Sequence, residues 1–90
     1  MVLQGAKIGM RPIIWPSSVI YHPEKLIIGD YFFANNNLWV NAMGGVEFGN
    51  NVLIGPNVVI HSANHNCFYT DKPFRLQSHN KRRVIIGSNV

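Results

Sequence analysis

Residues 28–60 read IGDYFFANNNLWVNAMGGVEFGNNVLIGPNVVI, and apolar side chains recur through them at every sixth position. Ile28, Ala34, Val40 and Val46 form one series, and Phe48, Ile54 and Ile60 form the next. Upstream, Ile8, Ile14, Ile20 and Leu26 make an earlier series of the same kind. Residues four after members of these series, namely Phe32, Leu38, Val52 and Val58, are apolar as well. Each series opens on an apolar residue followed by glycine. The pairs are Ile8-Gly9, Ile28-Gly29 and Phe48-Gly49, spaced 20 residues apart (28 − 8 and 48 − 28).

A period of six suits neither common element, since a helix repeats near 3.6 residues and a strand alternates at 2. It suits a triangular coil in which each side is a short strand with one main inward side chain and each corner is a turn. Three such sides make a coil of about 18 residues, so a unit of 20 is a coil with two residues bulging from a corner. Asn35, Asn36, Asn37, Gly44, Gly45, Asn50 and Asn51 crowd the expected corners, where positive φ is often required. The expectation is an all-β solenoid, a parallel β-helix, with residues 1–90 forming a single domain.

The pattern breaks once. Residues 66–83, NCFYTDKPFRLQSHNKRR, carry no six-residue repeat. Val84-Ile85-Ile86-Gly87-Ser88-Asn89-Val90 then resumes the phrase of Val46-Glu47-Phe48-Gly49-Asn50-Asn51-Val52. The break reads as a loop extruded from a corner. Ordered loops of this length in compact domains are uncommon and often functional, although long surface insertions are also tolerated.

Composition agrees. Of 90 residues, 47% are hydrophobic and only 13% charged, which favours a packed core over disorder. A formal charge of +4 fits a small polyanion and is too little to argue for nucleic acid. Cys67 is the only cysteine, so an internal disulfide is excluded and a reducing compartment fits. The opening MVLQGAKIGMRP lacks the apolar run of a signal peptide, and no stretch approaches a membrane span. The expectation is a cytoplasmic protein.

The stretch IIGDYFFANNNLWVNAMGGVEFGNNVLIGPNVVIHSANHN resembles the hexapeptide-repeat O-acetyltransferases of maltose, galactosides and bacterial polysaccharides. HNCFYTDKPFRLQ followed by VIIGSNV is most similar to the polysaccharide branch. The likeness runs from about Ile28 to Val90, with Phe48 to His65 its most specific part. It implies a left-handed coil, which spacing alone does not. It also implies acetyl-CoA as co-substrate, a sugar or polysaccharide acceptor, no metal, and a homotrimer with sites between subunits. In the family the phrase matching Val84–Val90 continues for several coils that carry much of the acetyl-CoA site. The expectation is a chain without those C-terminal coils, whose open apolar edge at Val84, Ile85 and Ile86 favours self-association.

The resemblance gives His65 the role of catalytic base. A sugar hydroxyl is a poor nucleophile, and an imidazole titrating near 6.5 can take its proton as it attacks a thioester. Asn35 corresponds to a substrate ligand whose amide both donates and accepts; the other reading is a left-handed corner residue. Asn64, beside the candidate base, is grouped with Asn35 as substrate-binding. Some sugar acetyltransferases carry an acidic ligand in the region where this chain has Met43, so the acceptor differs. His61 suits a surface or interface role. His79, Lys81, Arg82 and Arg83 suit either CoA phosphates or a solvated loop. Trp15 and Trp39 suit either a stacking platform or packing. Cys67 has no partners that would make it a nucleophile. His22, His61, His65 and His79 are not spaced as in the zinc carbonic anhydrases that share the left-handed coil. Two functions remain: acetyl transfer to a hydroxyl, or a non-catalytic truncated β-helix acting as a structural or binding module. Binding of acetyl-CoA separates them.

Overall fold

The computed structural model describes residues 3–65 and 79–90, with backbone placement alone at 64, 65, 79 and 80. Residues 66–78 of the expected loop therefore lie outside the described residues. The first coil carries β1 (Lys7–Ile8), β2 (Ile13–Ile14) and β3 (Val19–Tyr21). A single 3-10 turn over Pro23–Lys25 leads into the second coil, which carries β4 (Leu26–Ile28), β5 (Phe33–Ala34) and β6 (Trp39–Asn41). The third carries β7 (Val46–Phe48), β8 (Leu53–Ile54) and β9 (Val59–His61). Two strands, β10 (Ala63–His65) and β11 (His79–Lys81), pair antiparallel outside the coil, and β12 (Val84–Ile86) opens the fourth.

The coils stack into three flat parallel sheets, in the orders β1-β4-β7-β12, β2-β5-β8 and β3-β6-β9. The architecture is a left-handed parallel β-helix. Register follows the 20-residue unit on every side: Ile28 lies between Ile8 and Phe48, Ala34 between Ile14 and Ile54, and Val40 between Ile20 and Ile60. The resumed phrase keeps the same pairing, with Val84, Ile85 and Ile86 on Val46, Glu47 and Phe48. A strand's N–H groups thus bond to the next coil, as in Gly29 N to Phe48 O (2.9 Å) and Trp39 N to Val58 O (2.9 Å).

The six-residue positions form the core. Leu26, Ile28, Phe32, Ala34, Leu38, Val40, Val46, Phe48, Val52, Ile54 and Ile60 are buried together, and Ile8, Ile14, Ile20, Val58, Val84 and Ile86 pack against them. Two aromatic rings fill the axis, Phe32 and Phe48, with centroids 4.8 Å apart. Ala42 and Ala63 are also buried, at the third corner where the unit gains its two extra residues. The six-residue series does not extend to them.

All three corners include left-handed residues, with His22 and Gly45 at the third, and at the other two they form regular columns. Arg11, Tyr31, Asn51 and Asn89 occupy one column (φ 53–62°), and Ser17, Asn37 and Asn57 the other (φ 60–67°). From the second coil on, these residues add a hydrogen bond to the coil before, such as Asn51 N to Asp30 O (2.8 Å) and Asn57 N to Asn36 O (2.9 Å). The apolar-glycine pair has a separate cause, close approach. A Cβ on Gly29 would sit 2.5 Å from Gly49 O and 2.4 Å from Asn50 Oδ1. That Asn50 oxygen accepts the Asp30 N–H (2.7 Å), Asp30 Oδ1 accepts Met10 N (2.8 Å), and Ser88 Oγ accepts Asn50 N (2.9 Å).

Two mutational outcomes follow. Val59 is 67% exposed while Ile54 is buried, so Ile54→Ala should cost about 2–5 kcal/mol and Val59→Ser less than about 0.5 kcal/mol in chemical denaturation. Comparable losses would put the coil register in error. Tyr31 holds a left-handed conformation that asparagine tolerates better, so Tyr31→Asn should stabilise by about 0.5–1 kcal/mol, read as a raised melting temperature.

Candidate active site

The site is built where the third side gives way to the antiparallel pair. β9 ends at His61, and Ser62 follows with only 2% of its surface exposed. Its hydroxyl donates to Asn41 O (2.7 Å) and accepts from Gly44 N (2.9 Å). Its backbone N–H also donates to Asn41 O (3.1 Å), and its carbonyl accepts from Arg82 N (2.8 Å). One serine thus fastens the outgoing chain, the returning chain and the corner of the coil beneath. Gly44 is required by the fit, since a Cβ there would lie 2.4 Å from Ser62 O and 2.9 Å from Arg82 N and O. The excursion begins at Ala63, three residues before the repeat pattern fails at Asn66, because antiparallel pairing replaces the coil at that point.

His65 ends β10, with its backbone opposite His79, and Asn64 lies opposite Asn80. Ala63 faces Lys81, and Arg82 and Arg83 return the chain to β12. Arg83 pairs with Glu47, and both Arg82 and Lys81 are exposed. Cys67 lies outside the described residues.

Asn35 follows β5 at the end of the second side. It is not one of the left-handed corner residues; Asn37 is. Its N–H donates to Ile54 O (2.9 Å) and its Oδ1 accepts from Asn36 N (2.8 Å). The amide is held in place, with its NH2 as the remaining donor. Asn35 belongs to the second side, whereas His65 is on β10, which leaves the coil after the third side. The pairing register places Asn35 level with Gly55 and Trp15.

Met43 is at the third corner, where its N–H donates to Asn41 Oδ1 (3.0 Å) and its carbonyl accepts from Lys25 Nζ (3.1 Å). His61 ends β9 with its ring 5.5 Å from that of Trp39, and His22 lies 3.3 Å from Glu24 Oε1. Among the described residues no group of three or more His, Cys, Asp or Glu could hold a metal ion, and no helix is long and apolar enough to cross a membrane. The anchoring role of Ser62 carries no signature in the six-residue pattern.

No protein-family model matches the sequence. Two relatives do. WcaF of Escherichia coli, named as a colanic acid biosynthesis acetyltransferase, is 31% identical over 85 residues, covering 94% of this chain and 44% of its own length. The Saccharomyces cerevisiae protein YJL218W, named as an acetyltransferase, is 39% identical over 79 residues, covering 87% of this chain and 39% of its own. The chain therefore spans less than half the length of these relatives. In structure it is similar to a point mutant of AntD, an N-acyltransferase from Bacillus cereus in complex with dTDP and coenzyme A. The TM-score is 0.66 at 14% identity, over 91% of this chain and 57% of that one. At that identity the likeness is one of fold. The chain is a hexapeptide-repeat left-handed β-helix, homologous to proteins named as acetyltransferases.

Proposed function

We propose that this chain serves the transfer of an acetyl group from acetyl-CoA to a hydroxyl of a sugar or polysaccharide precursor. The observation that carries the reading is the match to WcaF, which takes in 94% of the chain. The coenzyme A bound to AntD, whose fold the chain shares, is consistent with an acyl-CoA donor. His65 acts as general base: its imidazole takes the hydroxyl proton as the oxygen attacks the thioester carbon, and returns a proton to the leaving thiolate. Asn35 and Asn64 bind the acceptor through their amides.

Ser62 has a positioning role in this reading, because it fixes the backbone three residues before His65. The separation of Asn35, on the second side, from His65, on the strand that leaves the coil, favours a site completed by a second copy of the chain, as in a homotrimer. The protein would act in the cytoplasm, where acetyl-CoA is made available.

Replacement of the base tests the reading directly. His65→Ala should lower kcat by roughly 10²–10⁴-fold in an assay of CoA release from acetyl-CoA with an acceptor sugar, with the circular dichroism unchanged. Equal turnover by variant and parent would remove His65 from the mechanism. Ser62→Ala leaves the Gly44 N–H without its acceptor, so it should destabilise by about 1–3 kcal/mol in denaturation. A variant as stable as the parent would show that the anchor is dispensable.

A further inference from the structure

The outward positions of the three sides differ in chemistry. On the first side Lys7, Ile27, Glu47 and Ile85 fall into one row. On the second, Ile13, Phe33 and Leu53 form an apolar row. The third side carries two rows, Val19-Trp39-Val59 and Tyr21-Asn41-His61, set by the pairing of β3, β6 and β9. The first of these rows is apolar, and the second carries a phenol, an amide and an imidazole. Trp39 lies between two neighbours, Tyr21 with its ring centroid at 5.6 Å and His61 at 5.5 Å, tilted by 58° and 65°. Tyr21 and His61 are exposed. The carbonyl oxygen of the Asn41 amide is engaged by the Met43 N–H (3.0 Å), which turns the remaining hydrogen-bonding capacity of that side chain into a donor.

We propose that Trp39, flanked by Tyr21, Asn41 and His61, is a subsite for a neutral sugar ring of the acceptor, next to the ring that is acetylated. This rests on the acetyl-transfer reading and names a binding surface within it. A sugar ring offers a face of C–H groups and a rim of hydroxyls. A half-buried indole, bordered in its own row by Val19 and Val59 and flanked by a phenol, an amide and an imidazole, offers apolar area and polar groups for both, and such a mixture is the usual make-up of a ligand site. The two rows contain no Lys or Arg, which argues against a nucleotide or CoA phosphate as the occupant. Location fits as well. His61 precedes His65 by four residues, and four extended residues reach at most about 14 Å, a span that a short oligosaccharide can cover.

The chain has two tryptophans, so each can be made the sole reporter. In Trp15→Phe the emission of Trp39 should shift saturably on titration with maltose, lactose or cellobiose. In Trp39→Phe the emission of Trp15 should not respond. By calorimetry with the same disaccharide, Trp39→Leu and His61→Ala should each bind about tenfold more weakly. Trp39→Leu keeps an apolar side chain of strand-compatible shape, and circular dichroism checks that it folds. Acetyl-CoA binding, measured in parallel, separates the two readings. A silent Trp39 in a protein that still binds acetyl-CoA overturns the subsite and spares the acetyl-transfer reading. A Trp39 response to CoA rather than to the disaccharides would overturn the subsite as a sugar site. So would emission that shifts with protein concentration alone, accompanied by smaller particles of Trp39→Asp in sedimentation, since the face would then be an interface between copies.

Discussion

The structure depends on one constraint: a backbone N–H in one coil must meet a carbonyl of the next, 19 residues further along where no excursion intervenes, as Ile13 N meets Phe32 O and Phe33 N meets Val52 O. This fixes the unit at 20 and turns three short, individually weak strands into continuous sheets. A side of two or three residues has no stability of its own. Its strand geometry exists because the coils above and below accept and donate the same bonds. The inward column of apolar side chains supplies the burial, and the corner ladder of Met10, Asp30, Asn50 and Ser88 satisfies backbone groups that the turn would leave unpaired.

The fold was legible in the sequence because this constraint writes itself into it with a fixed period. Every residue of the three six-spaced series is buried or packs on the buried cluster, and the resumed phrase from Val84 lands in register on Val46. Glycine after the inward residue was legible too, although its cause is contact between stacked corners rather than dihedral freedom. The corner asparagines were separable only in the structure. Asn37 and Asn51 take the left-handed turn, while Asn35 and Asn50 do not and spend their side-chain oxygens on neighbouring N–H groups.

The candidate site was less legible, since it arises where the period fails. Ser62 looks like any serine in a run of small residues. Its hydroxyl matters because Gly44, 18 residues earlier, brings its N–H within 2.9 Å, and because Arg82 returns from the far side of the excursion to meet its carbonyl. Contacts between residues joined by no common period cannot be inferred from spacing. They depend on how two strands, β10 and β11, leave the coil and come back, and the chain returns at Arg82, inside the stretch read as loop and two residues before the motif at Val84 becomes recognisable.

A triangular prism also limits what one chain can do chemically. Its interior is filled by close-packed side chains, so ligands must use the outside, and outward residues on different sides diverge. Rows along one side, by contrast, stand at the inter-coil spacing of about 4.8 Å, close enough for neighbouring side chains to act on one small molecule. Trp39, Tyr21 and His61 meet that condition along the third side, with ring centroids under 6 Å apart. Asn35 on the second side and His65 beyond the third do not. A reaction that drew on both would need a second surface to close over the first.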